Sequence, residues 1–323
     1  MLVVIALPAA AFVITSALIA WMLKSRFARL VLDHPNERSL HVDPVPRTGG
    51  LAIMVAVACA GLVLLPGSVV WLVPAVLLAL ISFVDDLRGL PVTVRFAGQL
   101  IVCGAFAAWV LADLPLAWIA VATLAAAWLA NLYNFMDGSD GLAGGMAAIG
   151  FGCSGLAALA AGDLSLGVAS LCITGAAAAF LVFNFHPARI FMGDVGSVPL
   201  GFLAAAIGIL GWRGGAWPVW FPLLVFSPFV ADATVTLARR LLRGDKVWQA
   251  HKEHYYQRLV RMGLGHGRTA LIEYLIMLAA GSSAFWAAQR EPSAQLAVLA
   301  IWCGLYAIGM TAVDRLWKTR AST

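Results

Sequence analysis

The stretch MLVVIALPAAAFVITSALIAWMLKSRFAR, residues 1–29, indicates the fold class of the whole chain. Its first 23 residues carry no charge, and about 20 apolar residues in a helix span the hydrocarbon core of a bilayer. Lys24, Arg26 and Arg29 follow the apolar run, whereas a cleaved signal peptide has its basic residues before that run. We therefore expect a retained first membrane helix with its N-terminus outside.

The composition of the chain predicts many such helices. Of 323 residues, 62% are hydrophobic and 11% are charged, whereas soluble domains carry about 25% charged residues. We predict an all-α, polytopic integral membrane protein that forms a single domain over 1–323. The expected number of transmembrane helices is ten or eleven, because very short joints between some apolar segments allow two ways of counting them. The apolar segments are centred on 2–23, 50–65, 68–84, 96–112, 115–132, 141–161, 165–184, 197–212, 216–238, 269–289 and 295–313.

The distribution of basic residues supports this orientation. If the N-terminus is outside, the predicted cytoplasmic segments hold 19 of the 21 Lys and Arg residues, as the positive-inside rule requires. The C-terminus is then cytoplasmic, and the net charge of +5 needs no nucleic-acid partner. The predicted cytoplasmic segments are 24–49, 85–95, 133–140, 185–196, 239–268 and 314–323.

Polar residues concentrate on this predicted cytoplasmic side. Asp85 and Asp86 directly follow an apolar segment, where the helix dipole disfavours negative charge. Two adjacent carboxylates at that position suggest that they take part in a functional site. The alternative interpretation is a solvated helix end, at which Arg88 partly balances the negative charge.

A second cluster lies in NLYNFMDGSDGLAGG, residues 131–145. Asn131, Asn134 and Asp137 recur every three residues, so we expect them to share one face of a helix. Asp140 is expected to begin the next helix as an N-cap or first-turn residue. A cap and a glycine turn would explain Asp140, but they leave the three-residue series unexplained.

Two further clusters precede apolar segments. In NFHPARIFMGDVGS, residues 184–197, Asp194 precedes a segment whose helix N-terminus could bind phosphate, and simple capping is the alternative. In the longest loop, 239–268, the residues His251, His254 and Arg258 have the spacing of one helix face. An interfacial amphipathic helix is the alternative there, and the absence of a cysteine or a third close His argues against zinc.

The carboxylates of these clusters predict a metal site. Asp85, Asp86, Asp137, Asp140 and Asp194 all fall on one predicted face. Carboxylate oxygens without thiolates suit Mg²⁺, which commonly binds together with substrate phosphates. We expect a cytoplasmic site for a phosphorylated substrate and Mg²⁺, with Mn²⁺ as the alternative cation.

The motifs taken together resemble one enzyme superfamily. The Asp pair at 85–86, NxxNxxDGxDGLA from 131, NFHPAxxFMGDxGS from 184 and the His-rich loop resemble the polyprenyl-phosphate N-acetylhexosamine-1-phosphate transferases. This resemblance covers residues 33–268. It implies transfer of a sugar 1-phosphate from a UDP-N-acetyl sugar to polyprenyl (undecaprenyl) phosphate in the bacterial cytoplasmic membrane, with UMP as the other product. Members of the superfamily can be dimers, so the resemblance is compatible with a homodimer.

The resemblance also implies roles for individual residues. Asp85, Asp86 and His254 are the expected catalytic residues, and Asp85 would deprotonate or orient the lipid phosphate. Direct attack and a covalent aspartyl-phosphate intermediate both stay open. Asp194 and Asp86 are the expected metal ligands. Asp140 is the expected uracil partner. Substrate binding is expected from Asn131, Asn134, Asp137, Asp140, Phe191, His251, Arg258, Arg47, His41 and Arg95.

One departure from the family pattern bears on the sugar. The translocase branch has three consecutive histidines, whereas this chain reads HKEHYYQRL at 251–259. That form looks closer to the enzymes that initiate O-antigen or capsule synthesis, with the sugar undetermined. The alternative functions are a transporter or flippase of an anionic lipid-linked solute, which would need charges near the bilayer midplane, and a catalytically silent scaffold.

Overall fold

The computed structural model describes residues 2–26, 32–33, 44–246 and 251–321, so the predicted substrate residue His41 lies outside the described residues. The fold is helical apart from a short antiparallel ribbon, in which β1 (Leu32–Asp33) pairs with β2 (Val45–Pro46). The helices are α1 (Leu2–Lys24), α2 (Gly49–Val63), α3 (Val69–Arg88), α4 (Val92–Val110), α5 (Leu116–Phe135), α6 (Leu142–Ala160), α7 (Leu164–Asn184), α8 (Asp194–Arg213), α9 (Phe221–Val225), α10 (Ser227–Leu242), α11 (Tyr255–Leu259), α12 (Gly265–Ala288) and α13 (Pro292–Ala321).

The protein is a polytopic all-α membrane protein. In the part of the chain that the structure describes, nine helices are long and apolar enough to cross a bilayer. They are α1, α3 to α8, the helical stretch Tyr255–Ala288 that joins α11 to α12, and Pro292–Arg320 of α13. The orientation of these helices relative to the two sides of the membrane stays a prediction.

Two of the eleven predicted apolar segments form shorter elements. The segment at 50–65 becomes the 15-residue helix α2, which is shorter than the roughly 17 residues that a spanning helix needs. The segment at 216–238 breaks at Phe226 into α9 and α10, each with a proline in its first turn. Proline lacks an N–H donor and begins a helix more readily than it continues one, which explains the break.

Helix α8 lies at the centre of the bundle. Every residue from 195 to 208 is buried, and α8 packs against α3 and α5. Its sequence is rich in Gly and Ala, which let helices approach closely where a hydrophobic driving force is absent. Because α8 begins beside the ends of α3 and α5, polar residues at these three termini meet at one end of the bundle.

Candidate active site

The adjacent carboxylates lie in the last turn of α3. Gly89 ends this helix in the left-handed conformation, with φ 67°. The following backbone then turns back, so that the Leu90 amide donates to Asp85 Oδ1 over 2.7 Å. Asp86 Oδ2 accepts a hydrogen bond from the Val195 amide over 3.2 Å, which ties the end of α3 to the first turn of α8. Both side chains therefore have set orientations.

Asp194 is the first residue of α8, and the backbone before it has little freedom. Gly193 has φ 72°, and a Cβ there would lie 2.5 Å from the Arg47 carbonyl oxygen. Gly50 crosses α8 so closely that its Cβ would lie 2.4 Å from the Gly196 Cα. These two contacts need glycine, and they bring the segment that carries Arg47 against Asp194.

Two arginines lie between the carboxylates. Arg47 Nη2 lies 3.1 Å from Asp86 Oδ1 and 3.2 Å from Asp194 Oδ1. Arg95 Nη1 lies 2.7 Å from Asp85 Oδ2 and 3.4 Å from Asp194 Oδ2. Asp194 is thus shared by both guanidinium groups, and each of them also holds one member of the Asp pair.

The asparagines of α5 complete this cluster. Asn134 Nδ2 donates to Asp194 Oδ2 over 3.2 Å, and Ser197 Oγ donates to Asn134 Oδ1 over 2.9 Å. Asn131 Nδ2 donates to Gln99 Oε1 over 2.6 Å. Asn131 and Asn134 therefore share one helix face, as their spacing predicts. Gln99 and Ser197 are their partners in the structure, and the sequence alone assigned neither of them a role at the site.

These side chains border a cavity of about 80 Å³. Half of its lining is polar, and the rest is mainly apolar side chains of α3, α4 and α5, among which Phe96 and Phe135 are exposed at the protein surface. A cavity that is polar on one side and apolar on the other suits the phosphate end of a lipid. Its polar lining consists of Asp85, Arg95, Gln99, Asn131, Asn134 and Asp194, with Ser82.

Asp137 follows the end of α5, so the prediction that it shares a helix face with Asn131 and Asn134 is wrong, but it faces the same charges. It is half-buried, and its carboxylate accepts no hydrogen bond from any residue in the described ranges. Burial, and then repulsion from Asp194, raise the pKa of Asp137 well above its ordinary value, and Arg47 opposes the rise. Asp137 is therefore a carboxylate that a nearby cation would stabilise.

The structure contradicts the predicted position of Asp140. Gly141, with φ 77°, is the N-cap of α6, and Asp140 does not cap that helix. Asp140 Oδ2 instead lies 2.7 Å from His186 Nδ1 and accepts the Ala188 amide over 3.2 Å. The His186 ring stacks on His266 with 5.4 Å between ring centres. The quoted motif contains His186, but its spacing did not indicate this contact.

The His-rich loop also differs from its predicted form. Helix α11 begins at Tyr255, so His251 and His254 precede the helix and do not share a helix face with Arg258. His254 is the N-cap of this helix, and its amide donates to Gln257 Oε1. Its Nδ1 lies 3.2 Å from Asp232 Oδ1. The His254 side chain is only 3% exposed.

The two histidines and Arg258 have different surroundings. Burial, and then the neighbouring His254 and Arg240, lower the pKa of His251 to about 4, so this imidazole is neutral at neutral pH. Its Nδ1 accepts the Glu253 amide over 3.3 Å, which leaves the proton on Nε2. Arg258 points away from the carboxylate cluster and donates to Asp314 of α13 over 2.7 Å.

Phe191 lies on the segment between α7 and α8. Its amide donates to the Pro46 carbonyl over 2.7 Å, and its carbonyl accepts from the Gly49 amide over 2.9 Å. These backbone bonds join the Phe191 segment to the segment of Arg47. The predicted stacking of Phe191 on a base stays a prediction.

The carboxylate cluster is chemically suited to a divalent cation. Its donors are carboxylate and amide oxygens, the ligand type that Mg²⁺ prefers. Four carboxyl groups face two guanidinium groups here, so when all four are ionised two negative charges have no arginine to balance them. Among the described residues, no three acidic, His or Cys side chains already form a metal-binding group, because Arg47 and Arg95 separate the carboxylates.

Comparisons with known proteins identify the family of this chain. Residues 68–212 match the family described as "Glycosyl transferase family 4". The chain is 31% identical to the "Probable undecaprenyl-phosphate N-acetylglucosaminyl 1-phosphate transferase" of Bacillus subtilis, over 76% of this chain and 74% of the relative. It is 30% identical to the "Decaprenyl-phosphate N-acetylglucosaminephosphotransferase" of Mycobacterium tuberculosis, over 87% and 82%. The "Phospho-N-acetylmuramoyl-pentapeptide-transferase" of Shouchella clausii is 28% identical, over 78% and 86%.

Proposed function

The chain belongs to glycosyl transferase family 4, within the superfamily of polyprenyl-phosphate sugar-1-phosphate transferases, and we propose that it transfers an N-acetylhexosamine 1-phosphate from a UDP-sugar to polyprenyl phosphate. An oxygen of the lipid phosphate would form a bond to the sugar-linked phosphorus. The bond from that phosphorus to the oxygen that bridges it to the other phosphate of UDP would break. The products would be polyprenyl-diphosphate-sugar and UMP.

One observation carries this proposal. Four carboxylates and two arginines converge at the ends of membrane helices, beside a cavity whose other walls are apolar. Phosphoryl transfer depends mainly on positioning and on charge neutralisation, which such a cluster supplies. A water-soluble donor and a lipid acceptor can meet where a polar site adjoins lipid.

The structure suggests roles for the central residues. Asp85 is oriented by Leu90 and Arg95, so it would hold or deprotonate the lipid phosphate. Arg47 and Arg95 would neutralise substrate phosphates, because guanidinium groups recognise phosphate oxygens in bidentate fashion. Asp86, Asp137 and Asp194 would hold Mg²⁺ or Mn²⁺, which when bound would neutralise the diphosphate of the donor.

The location and pathway follow from the same proposal. The enzyme would act at the cytoplasmic face of a bacterial inner membrane, where UDP-sugars are available, and would initiate a surface glycan such as O-antigen or capsule. The His-loop sequence HKEHYYQRL is the basis for this branch.

A reconstitution assay tests the proposal. Purified protein in nanodiscs that contain undecaprenyl phosphate is incubated with Mg²⁺ and UDP-GlcNAc labelled in the sugar. We expect label in the lipid fraction and one UMP for each labelled lipid. UDP-QuiNAc and UDP-FucNAc extend the assay to other sugars. Absence of UMP with every UDP-N-acetyl sugar would overturn the enzyme assignment, and movement of a lipid-linked solute across the bilayer without UMP would indicate a flippase.

A further inference from the structure

A second polar cavity lies away from the carboxylate cluster. It has a volume of about 570 Å³, within the range of about 300–1,000 Å³ typical of ligand pockets. It lies between the end of α10, the loop before α11 and the last part of α13. We name it the basic pocket, because its lining includes the cationic side chains Arg239, Arg243, Lys252, Arg258, Arg261 and Lys318.

The charges of the basic pocket do not balance. Among its described lining residues, the two carboxylates are Asp314 and Glu253, against six cationic side chains. Asp314 already pairs with both Arg239 and Arg258, at 2.5 and 2.7 Å. Glu253 pairs with Arg243 of the pocket at 2.5 Å and also with Arg240. Each acid is thus shared between two guanidinium groups, and Asp245 beside the pocket also pairs with Arg243. Even with Asp245 counted, the described residues leave a net positive charge for an anion.

One cationic side chain is held in place by an aromatic ring. The guanidinium carbon of Arg261 lies 5.0 Å from the ring centre of Trp317, which also lines the pocket. A cation–π contact of this kind restrains a side chain without neutralising its charge. The pocket is therefore partly preorganised for a negatively charged group.

The basic pocket is separate from the candidate active site. None of the four clustered aspartates lines it. On one side of the His-rich loop, His254 contacts Asp232, and the Tyr256 hydroxyl donates to the Phe135 carbonyl over 3.1 Å. On the other side, Arg258 and the Tyr255 hydroxyl contact Asp314.

The surroundings of the pocket indicate which anion it receives. Leu241 and Leu242, directly before Arg243, are 66% and 88% exposed, and Leu316 beside Trp317 is also exposed. In a membrane protein, exposed apolar residues next to basic ones lie at the level of the lipid headgroups. We propose that the basic pocket binds the phosphate group of an anionic phospholipid. A soluble phosphate is also an anion, but it would not contact the apolar surface beside the pocket.

Binding measurements on the full-length protein test this proposal without any assay of turnover, so the outcome is independent of the proposed reaction. The protein in phosphatidylcholine nanodiscs is titrated with phosphatidylglycerol, and bound lipid is counted by native mass spectrometry. A basic residue that contacts a bound anionic headgroup contributes about fivefold to the affinity for that lipid. We expect the triple variant Lys252→Gln, Arg261→Gln, Lys318→Gln to lose phosphatidylglycerol binding by more than about tenfold.

A matched control removes three charges elsewhere. Arg26, Arg268 and Arg315 are exposed and do not line the pocket. Their triple replacement by Gln should leave phosphatidylglycerol binding within about twofold of wild type. Equal losses in both triple variants would overturn the proposal, because they would show only a general effect of charge.

A second arm separates the two sources of phosphate. Inorganic phosphate at millimolar concentration should not displace bound phosphatidylglycerol, and displacement would show a site for soluble anions and overturn the lipid assignment. If the triple variant does not fold, the single variants Lys252→Gln and Arg261→Gln replace it. Each should weaken phosphatidylglycerol binding by about fivefold, and unchanged binding in both would contradict the proposal.

Discussion

The guanidinium of Arg95 donates a hydrogen bond to Asp85 across the turn between α3 and α4, with 2.7 Å between Nη1 and Oδ2. Because the Leu90 amide donates to the other oxygen, both oxygens of this carboxylate are engaged. Asp85 is thus oriented before any substrate arrives. The same arginine reaches Asp194, so one side chain links the ends of two membrane helices.

We predict that Arg95→Ala lowers the rate of UMP release by about 10–100-fold, because a hydrogen bond to a charged group contributes about 1.5–3 kcal/mol. The KM for polyprenyl phosphate should rise more than the KM for the UDP-sugar. Steady-state kinetics with each substrate varied in turn measure this effect. Arg88→Ala is the control, since Arg88 is exposed on the last turn of α3. Equal losses in both variants would contradict a specific role for Arg95.

Asp137→Asn should stabilise the protein while it reduces activity. The pKa of Asp137 is raised, so the folded state binds its proton more tightly than the unfolded state does. The wild-type protein therefore loses stability as pH rises above the ordinary carboxyl pKa, whereas the Asn variant has no group there to ionise and does not lose it. We expect the melting temperature of the variant to exceed that of wild type by at least about 2 °C at pH 8. The difference should shrink toward about pH 4.

The control for this variant is Glu291→Gln, which changes an exposed carboxylate outside the site. Its melting temperature should follow that of wild type at every pH. If the difference in melting temperature between Asp137→Asn and wild type does not grow as pH rises, Asp137 carries no unfavourable charge.

Asp194→Asn should remove the response of the protein to Mg²⁺. In the absence of substrate, we expect Mg²⁺ to raise the melting temperature of wild type, because a bound cation offsets the repulsion among the carboxylates. The variant should show no such rise, and EDTA should abolish turnover of wild type. Thermal scans over a series of Mg²⁺ concentrations measure the first effect. A Mg²⁺ response of Asp194→Asn equal to that of wild type would exclude Asp194 as a ligand.

The sequence could predict that the acidic clusters meet, because membrane helices alternate in direction. Once the apolar segments are counted, Asp85, Asn134 and Asp194 must lie at helix ends on the same side. The structure brings these three residues to one cavity. The constraint comes from the bilayer, which allows few arrangements for segments of spanning length.

The sequence could not predict which side chains pair within the clusters. The spacing of residues gives directions around one helix, but the rotation of neighbouring helices decides which partner is met. Asp140 lies against His186, 46 positions away, and so does not cap α6. The start of α11 depends likewise on Asp232, which is 23 positions from Tyr255 and accepts its amide.

Asp232→Asn should loosen the His-rich loop. Asp232 Oδ1 accepts from His254 Nδ1 and the Tyr255 amide, and Oδ2 accepts the Tyr256 amide over 3.0 Å. An Asn side chain has one acceptor oxygen, so one of these donors is left unpaired, at a cost of about 1–3 kcal/mol. Hydrogen exchange of amides 255 and 256 should accelerate by about tenfold or more.

Asp245→Asn is the matched control for the loop, because Asp245 is partly exposed on the same connection and contacts Arg243. Its exchange at amides 255 and 256 should equal that of wild type. If Asp232→Asn leaves these amides as protected as before, the loop is held by other contacts.

Gly50→Ala should disrupt the site from a distance. Its Cβ would lie 2.4 Å from the Gly196 Cα and 2.6 Å from the Met192 carbonyl oxygen, so α2 and α8 must move apart. Such overpacking costs about 1–3 kcal/mol, and it should displace Arg47, which lies three residues before Gly50 and bridges Asp86 and Asp194. We expect a lower melting temperature and at least about tenfold slower UMP release. Gly104→Ala is the control, because its Cβ would meet only Thr123 at 3.7 Å and should cost little. If Gly50→Ala matches the control in stability and rate, the close crossing of α2 and α8 does not position Arg47.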